Sequence, residues 1–353
     1  MPRLHELFRH CRERGGSDLH LMAGLEPRIR RAGHLEPVPG WPALADRELR
    51  AILHEVVSDE QWREFEETGD LDFAYGLPEV ARFRGNYLRQ ESGASAVFRA
   101  IPQDIVPLDE LGLPPAIEKL ADLSRGLVLV TGPTGSGKST TLASIIDRIN
   151  RTHRKHVVTI EDPVEFVHRD RECVFSQREV GTDTDSFSGA LRGALREDAD
   201  VILVGEMRDL ETIALAITAA EMGALVFGTL HTNGTANTID RLIDAFPADQ
   251  QAQVRITLSE SLAAVVSQLL LRTADGKGRV AVNEILLKSS GLPNVIREGN
   301  TPMIRSLIQG GRAEGMQLMD EALAALVERG IVAGRDAYLK ATEKARFEQY
   351  LED

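Results

Sequence analysis

Residues 132–139 read Gly-Pro-Thr-Gly-Ser-Gly-Lys-Ser, a complete phosphate-binding loop, and its flanks constrain how the chain around it must fold. The preceding residues, 126–131, form a short apolar run rich in β-branched side chains. The following stretch, Thr140 to Ile149, carries helical spacing. A buried strand, a glycine-rich turn and a helix in this order aim backbone N–H groups and the positive end of the helix at phosphate oxygens. The motif predicts that Gly132, Pro133, Thr134, Gly135, Ser136, Gly137, Lys138, Ser139 and Thr140 cradle a nucleotide. Lys138 is expected at the β- and γ-phosphates, with the Ser139 hydroxyl on Mg²⁺.

The rest of the chain is organised around that unit. Nearly continuous apolar strands at 127–131, 156–160, 201–204 and 225–230 alternate with helical stretches. Strands buried on both faces and separated by helices predict an α/β domain with a parallel sheet, over residues 116–290. Residues 1–100 mix short helices and strands, with an antiparallel meander expected over 71–100. Residues 101–115 hold four prolines and read as an interdomain linker. Residues 291–353 read as helices, the charged last stretch being expected to fray. The length of 353 residues accommodates two domains. A formal net charge of −13 argues against a protein that grips nucleic acid over a broad face. Two cysteines without metal-ligand spacing, Cys11 and Cys173, fit a reducing compartment. No apolar run approaches the roughly 18 residues of a membrane span. The nearest, Leu262 to Leu271, is interrupted by Ser267 and Gln268. A cytoplasmic location is expected.

Two further strands end in acids. Residues 157–160 run into Glu161, and 201–204 run into Gly205 and Glu206. Ligands of parallel sheets lie at the carboxyl ends of the strands, so both acids are expected to face the phosphates. Nucleotide hydrolysis needs one carboxylate for water and another for the metal or its water shell. Position in the strand-end motif makes Glu206 the base. Chain order makes it Glu161, since in RecA-like motors the water-activating acid ends the strand after the phosphate-loop helix. The reading favours Glu161 as base and Glu206 at the metal. His231, at the end of the strand 225–230, is expected to contact the γ-phosphate. Arg192 and Arg196, spaced i and i+4 on one helix, and Arg84 and Arg99 in the meander are candidates for a guanidinium clamp on the transferring phosphoryl group.

These motifs together resemble one family. Residues 159–168, Thr-Ile-Glu-Asp-Pro-Val-Glu-Phe-Val-His, are similar to the aspartate box of the secretion and pilus ATPases. Residues 199–209 are similar to their Walker B box, and 223–232 to their histidine box. Residues 17–21, 82–84 and 97–102 resemble the N-terminal domain of that family, and 291–298 the C-terminal signature of its type IV pilus retraction branch. The resemblance implies a PAS-like α+β N-terminal domain, a RecA-like ATPase domain and a C-terminal helical extension. It implies a homohexamer that hydrolyses ATP with Mg²⁺ to power pilus retraction and twitching motility. The ring would dock on an inner-membrane platform protein at the base of the pilus. It further implies that Arg84, Arg99, Arg192 and Arg196 line the nucleotide cleft. The chain departs from the family pattern at Ala224 and Pro293, and the latter predicts a later start for the signature helix. An accessory retraction ATPase of the same branch and a type II secretion-like assembly ATPase are the alternatives, with a nucleic-acid translocase the remote one.

Overall fold

The computed structural model describes residues 2–31, 33–78, 80–101 and 104–351, which fall into two units. The first comprises Met1–Asp104 with Pro163–Val167. Its strands are β1 (Asp18–Met22), β2 (Arg28–Arg31), β3 (His34–Pro37), β4 (Asp70–Leu77), β5 (Ala81–Gln90) and β6 (Gly93–Ile101). They form an antiparallel sheet in the order 3-2-1-6-5-4. The expected meander is β4–β5–β6. Helices α1 (Arg3–Glu13), α2 (Asp46–His54) and α3 (Asp59–Thr68) complete the unit. Leu4, Leu7, Phe8 and Cys11 recur at helical spacing, and all four are fully buried. The expected break near Ser58 is a capping box: the Ser58 hydroxyl accepts from Gln61 N, and the Gln61 side chain accepts from Ser58 N. Gly85 lies opposite Phe73 on one strand and Phe98 on the other. A Cβ there would come within 2.8 Å of the Phe73 ring, so the glycine makes room for the aromatic core.

The second unit comprises Ile105–Asp162 and His168–Asp353. Its strands are β7 (Gly126–Thr131), β8 (His156–Glu161), β9 (Val174–Glu179), β10 (Val201–Val204), β11 (Leu225–Leu230), β12 (Leu262–Arg272) and β13 (Arg279–Leu287). The sheet order is 13-12-7-11-10-8-9, parallel throughout except for β13 at one edge. Its helices are α4 (Pro115–Glu118), α5 (Lys138–Thr152), α6 (Phe187–Ala194), α7 (Leu210–Met222), α8 (Thr235–Asp244) and α9 (Gln251–Ser261). The C-terminal helices are α10 (Leu292–Glu298), α11 (Ile304–Gly310), α12 (Met319–Glu328) and α13 (Gly334–Lys340). Because successive strand residues face opposite ways, β7 feeds two cores. Leu127 and Leu129 pack with Ile213 and Ile217 of α7, whereas Val128 and Val130 pack with Ile145 and Ile149 of α5. The α+β domain followed by a phosphate-loop nucleotide-binding domain is the fold the sequence predicts.

Three local expectations are corrected. The segment read as a linker is part of the second unit from Ile105 onward: Leu108 and Leu113 are buried in the core beside α5, and Val106 O accepts from Ser144 Oγ at 2.7 Å. Pro102 and Gln103 lie outside the described residues. The charged C-terminal stretch is packed rather than frayed through Tyr350, its last two residues lying outside those described. A 3₁₀ turn over Lys344–Tyr350 buries Phe347 completely, and the Asp320 carboxylate accepts from the N–H groups of Thr342 and Glu343. The signature helix α10 starts at Leu292 rather than later, since Pro293 falls in its first turn, where a missing N–H costs nothing.

Candidate active site

All six residues of β7 are buried, and the strand delivers the chain at Thr131 to the phosphate loop. Gly132 has φ +140°, Gly135 φ +78° and Gly137 φ +86°, conformations that glycine adopts without the steric cost other residues meet. Gly137 is the N-cap of α5 and no side chain caps that helix end. Its first-turn N–H groups therefore suit a phosphate, and a Cβ on Gly135 would meet nothing within 4 Å. Ser139 is exposed, so its hydroxyl is accessible to a metal ion. Lys138 Nζ donates to the carbonyls of Gly132 at 2.9 Å and Pro133 at 3.1 Å, which holds the ammonium across its own loop.

The strand order ranks the remaining groups by distance from the loop. His231 follows β11, which neighbours β7; Glu206 follows β10, one strand further; Glu161 ends β8, the next again. At a strand spacing of about 4.8 Å, their backbones stand roughly 5, 10 and 14 Å to the side of β7. Glu206 and His231 meet: Oε1 of the acid lies 3.1 Å from Nε2 of the imidazole. The other carboxylate oxygen accepts from Arg208 Nη2 at 2.7 Å. The Arg208 hydrogen bond, with added charge from Arg208, His231 and Lys138, holds the Glu206 carboxyl below its ordinary range against the opposing effect of burial. Glu161 is nine-tenths buried beside it. The structure also explains why glycine stands at 205. A Cβ there would come within 3.1 Å of Ile160 O and 3.2 Å of Glu161 Cα, so a side chain at 205 would crowd the end of β8, and the acid stands one residue later.

The arginines separate. Arg192 lies on α6, ion-paired to Glu211 in the first turn of α7. Arg196 does not share that helix, because α6 ends at Ala194 and Arg196 lies in the turn that leads to Asp198 at φ 52°. The expected i, i+4 helical pair is therefore not formed. In the first unit Arg84 and Arg99 are direct cross-strand partners on β5 and β6. Like charges so placed repel, and Asp18 offsets this by pairing with Arg99 Nε at 2.9 Å. Ala224 immediately precedes β11, at the end of the strand away from the phosphate loop, where its carbonyl accepts from Gly126 N. A six-residue strand at about 3.3 Å per residue puts it roughly 20 Å from the loop, so this departure spares the phosphate end.

Sequence reasoning passed over Arg208, Gln268, Asn283 and Glu284. Gln268 is buried, yet its Nε2 donates to Ser136 O at 2.7 Å inside the phosphate loop. The signal available was a polar Ser-Gln pair inside an otherwise apolar run. Among the described residues no group of three or more His, Cys, Asp or Glu side chains is arranged to hold a metal ion. No described helix is long and apolar enough to cross a membrane.

The model of the Type II/IV secretion system protein family matches residues 59–346. The chain is 50% identical over 336 residues to the type IV pilus retractation ATPase PilT of Pseudomonas aeruginosa, covering 95% of this chain and 97% of that one. It is 40% identical over 336 residues to the type IV pilus ATPase PilU of the same organism, covering 95% and 88%. Among solved structures, the pilus retraction motor PilT with bound ADP superposes with a TM-score of 0.91 at 43% identity over 99% of both chains. With a phosphate loop, two strand-end acids and matches of this extent, the chain belongs to the Type II/IV secretion system protein family.

Proposed function

We infer that this chain is an ATPase whose hydrolysis powers type IV pilus retraction. The observation that carries the reading is the phosphate loop and acid set within a chain half identical to PilT along nearly its whole length. Identity to PilU, an ATPase of the same system, is lower over the same span, which favours the main retraction motor over an accessory one. A nucleic-acid translocase has nothing to support it beside a net charge of −13.

In this reading the first-turn N–H groups of α5 bind the phosphates, and Lys138 exchanges its two loop carbonyls for β- and γ-phosphate oxygens. The donor set fits Mg²⁺, which binds through one or two protein oxygens plus substrate phosphates rather than in a protein cage. Ser139 and Glu206 would hold it or its water shell, and it would neutralise phosphate charge. Glu206, kept ionised by Arg208, suits that role. Glu161, the acid furthest from the loop, is the base in this reading and takes the proton from the attacking water. His231, in contact with Glu206, senses the γ-phosphate. Arg192, Arg196, Arg84 and Arg99 supply positive charge to the phosphoryl group in transfer. The working form is a homohexamer, cytoplasmic and docked on an inner-membrane pilus platform protein.

Steady-state ATPase assays and analytical ultracentrifugation of the purified chain test this. Mg²⁺-dependent turnover by a six-subunit species is expected. A monomer with full activity would remove the ring from the account.

A further inference from the structure

The two antiparallel strands at the edge of the sheet carry polar side chains where their neighbours are apolar. Ser267 of β12 stands opposite Glu284 of β13, and Gln268 opposite Asn283. Ser267 is also level with Thr131, the last residue before the phosphate loop. Adjacent rungs face opposite sides of the sheet.

One rung reaches the phosphate loop. Gln268 Nε2 donates to Ser136 O, while its Oε1 accepts from Thr141 Oγ1 on α5 and from Asn283 Nδ2, both at 3.0 Å. Gln268, Asn283 and Thr141 are each at most 2% exposed. The Gln268 carbonyl also lies against Gly132, where a Cβ would stand 2.2 Å from it. The other rung reaches the loop that carries His231. Ser267 Oγ accepts from Gly234 N at 2.9 Å, and Glu284 Oε1 accepts from both Thr235 N and Thr235 Oγ1 at 2.8 Å. Gly234 is the N-cap of α8 and offers no side chain, so β12 and β13 cap that helix in its place. Glu284 Oε2 further accepts from Met319 N at the start of α12, and Gln317 Nε2 donates to Asn283 O at 2.8 Å.

We propose that the β12–β13 pair is a positioning strut that couples the phosphate loop to the His231 loop and the C-terminal helices. Gln268 and Asn283 hold the first, and Ser267 and Glu284 hold the other two. Buried polar groups that share partners resist independent displacement, because moving one leaves another unsatisfied in a low-dielectric interior. A shift of Ser136 as Lys138 turns to a phosphate therefore pulls on Gln268, and one residue away on Ser267, which grips the turn after His231. All four residues lie on β12 and β13, outside the phosphate loop, and the inference rests on the reading of residues 132–139 as the nucleotide site.

The test is a set of variants of the full chain, read by binding of fluorescent mant-ADP and by kcat and KM for ATP. Gln268→Leu strands Ser136 O, Thr141 Oγ1 and Asn283 Nδ2, and weakens mant-ADP binding by about tenfold or more. Glu284→Gln leaves one acceptor oxygen for three donors, weakens mant-ADP binding by about threefold or more, and lowers kcat more than it raises KM. In the double variant the loss of affinity falls short of the product of the single losses by at least about threefold. Thr141→Val, which removes only the hydroxyl, keeps the test alive if Gln268→Leu fails to fold. It weakens mant-ADP binding, and Thr141→Ser restores it. Single effects that multiply, or Thr141→Val binding as tightly as Thr141→Ser, would overturn the proposal. Failure of the wild-type chain to bind mant-ADP would instead overturn the nucleotide site itself.

Discussion

Two glycines of one loop are expected to respond to the same substitution in opposite ways. Gly132→Ala places a methyl group 2.2 Å from Gln268 O and 2.9 Å from Ser136 Oγ at φ +140°. The unfavourable backbone costs about 1–3 kcal/mol and the overlap with a buried carbonyl a similar amount, about 4 kcal/mol in all. Gly135→Ala at φ +78° meets no atom within 4 Å, so only the left-handed backbone is penalised, by about 1–2 kcal/mol. At about 2–4 °C per kcal/mol for a domain of this size, Gly132→Ala lowers the melting temperature of the second unit by about 8–16 °C, and Gly135→Ala by about 5 °C. Nucleotide binding ranks them differently. The Gly135 methyl occupies space that a phosphate needs, so Gly135→Ala loses mant-ADP affinity by at least about tenfold although it remains folded. Differential scanning calorimetry and mant-ADP titration of both variants decide the matter. Equal losses of melting temperature, or wild-type affinity in Gly135→Ala, would refute the description of the loop.

The acids separate by metal dependence. Glu161→Gln is expected to slow hydrolysis by about a hundredfold at an unchanged Mg²⁺ requirement, whereas Glu206→Gln raises the Mg²⁺ concentration needed for half-maximal rate; rescue of Glu161→Gln alone by excess Mg²⁺ reverses the two roles. Arg208 gives a pH test. Its hydrogen bond lowers the Glu206 pKa in the folded chain, so the stability it contributes is present above the ordinary glutamate pKa and is lost as pH falls through the depressed value. In Arg208→Ala the acid limb of the pH–rate profile moves to higher pH, and an unmoved limb contradicts the pairing.

The phosphate loop, the parallel strands and the two acids were legible because each is a local pattern: a short apolar run, a glycine turn, a strand ended by a carboxylate. The strands that escaped have no such pattern. Arg-Ile-Arg-Arg of β2 and Val-Phe-Ser-Gln-Arg-Glu of β9 are charged or polar because they are at or near sheet edges. The strut escaped because its bonds span long separations, 132 residues from Gln268 to Ser136 and 49 from Glu284 to Thr235. The helical reading of Arg192 and Arg196 failed on termination. Spacing alone does not reveal a helix end that is followed by a left-handed Asp198. Charge likewise misled at the C-terminus, where the buried Phe347, with the Tyr350 ring against it, outweighs its charged neighbours.

The central claim is that hydrolysis at this loop drives pilus retraction. The most direct test is to delete the gene in its host and supply the wild-type chain or Lys138→Ala. Retraction of individual pili is then followed by microscopy, with ATPase measured on the same purified proteins. Lys138→Ala removes a loop-bonded ammonium and no apolar core side chain, so it is expected to fold. The account predicts that wild type restores both turnover and retraction, and that Lys138→Ala restores neither. Normal retraction in the deletion strain, or retraction rescued by an inactive Lys138→Ala chain, would contradict it.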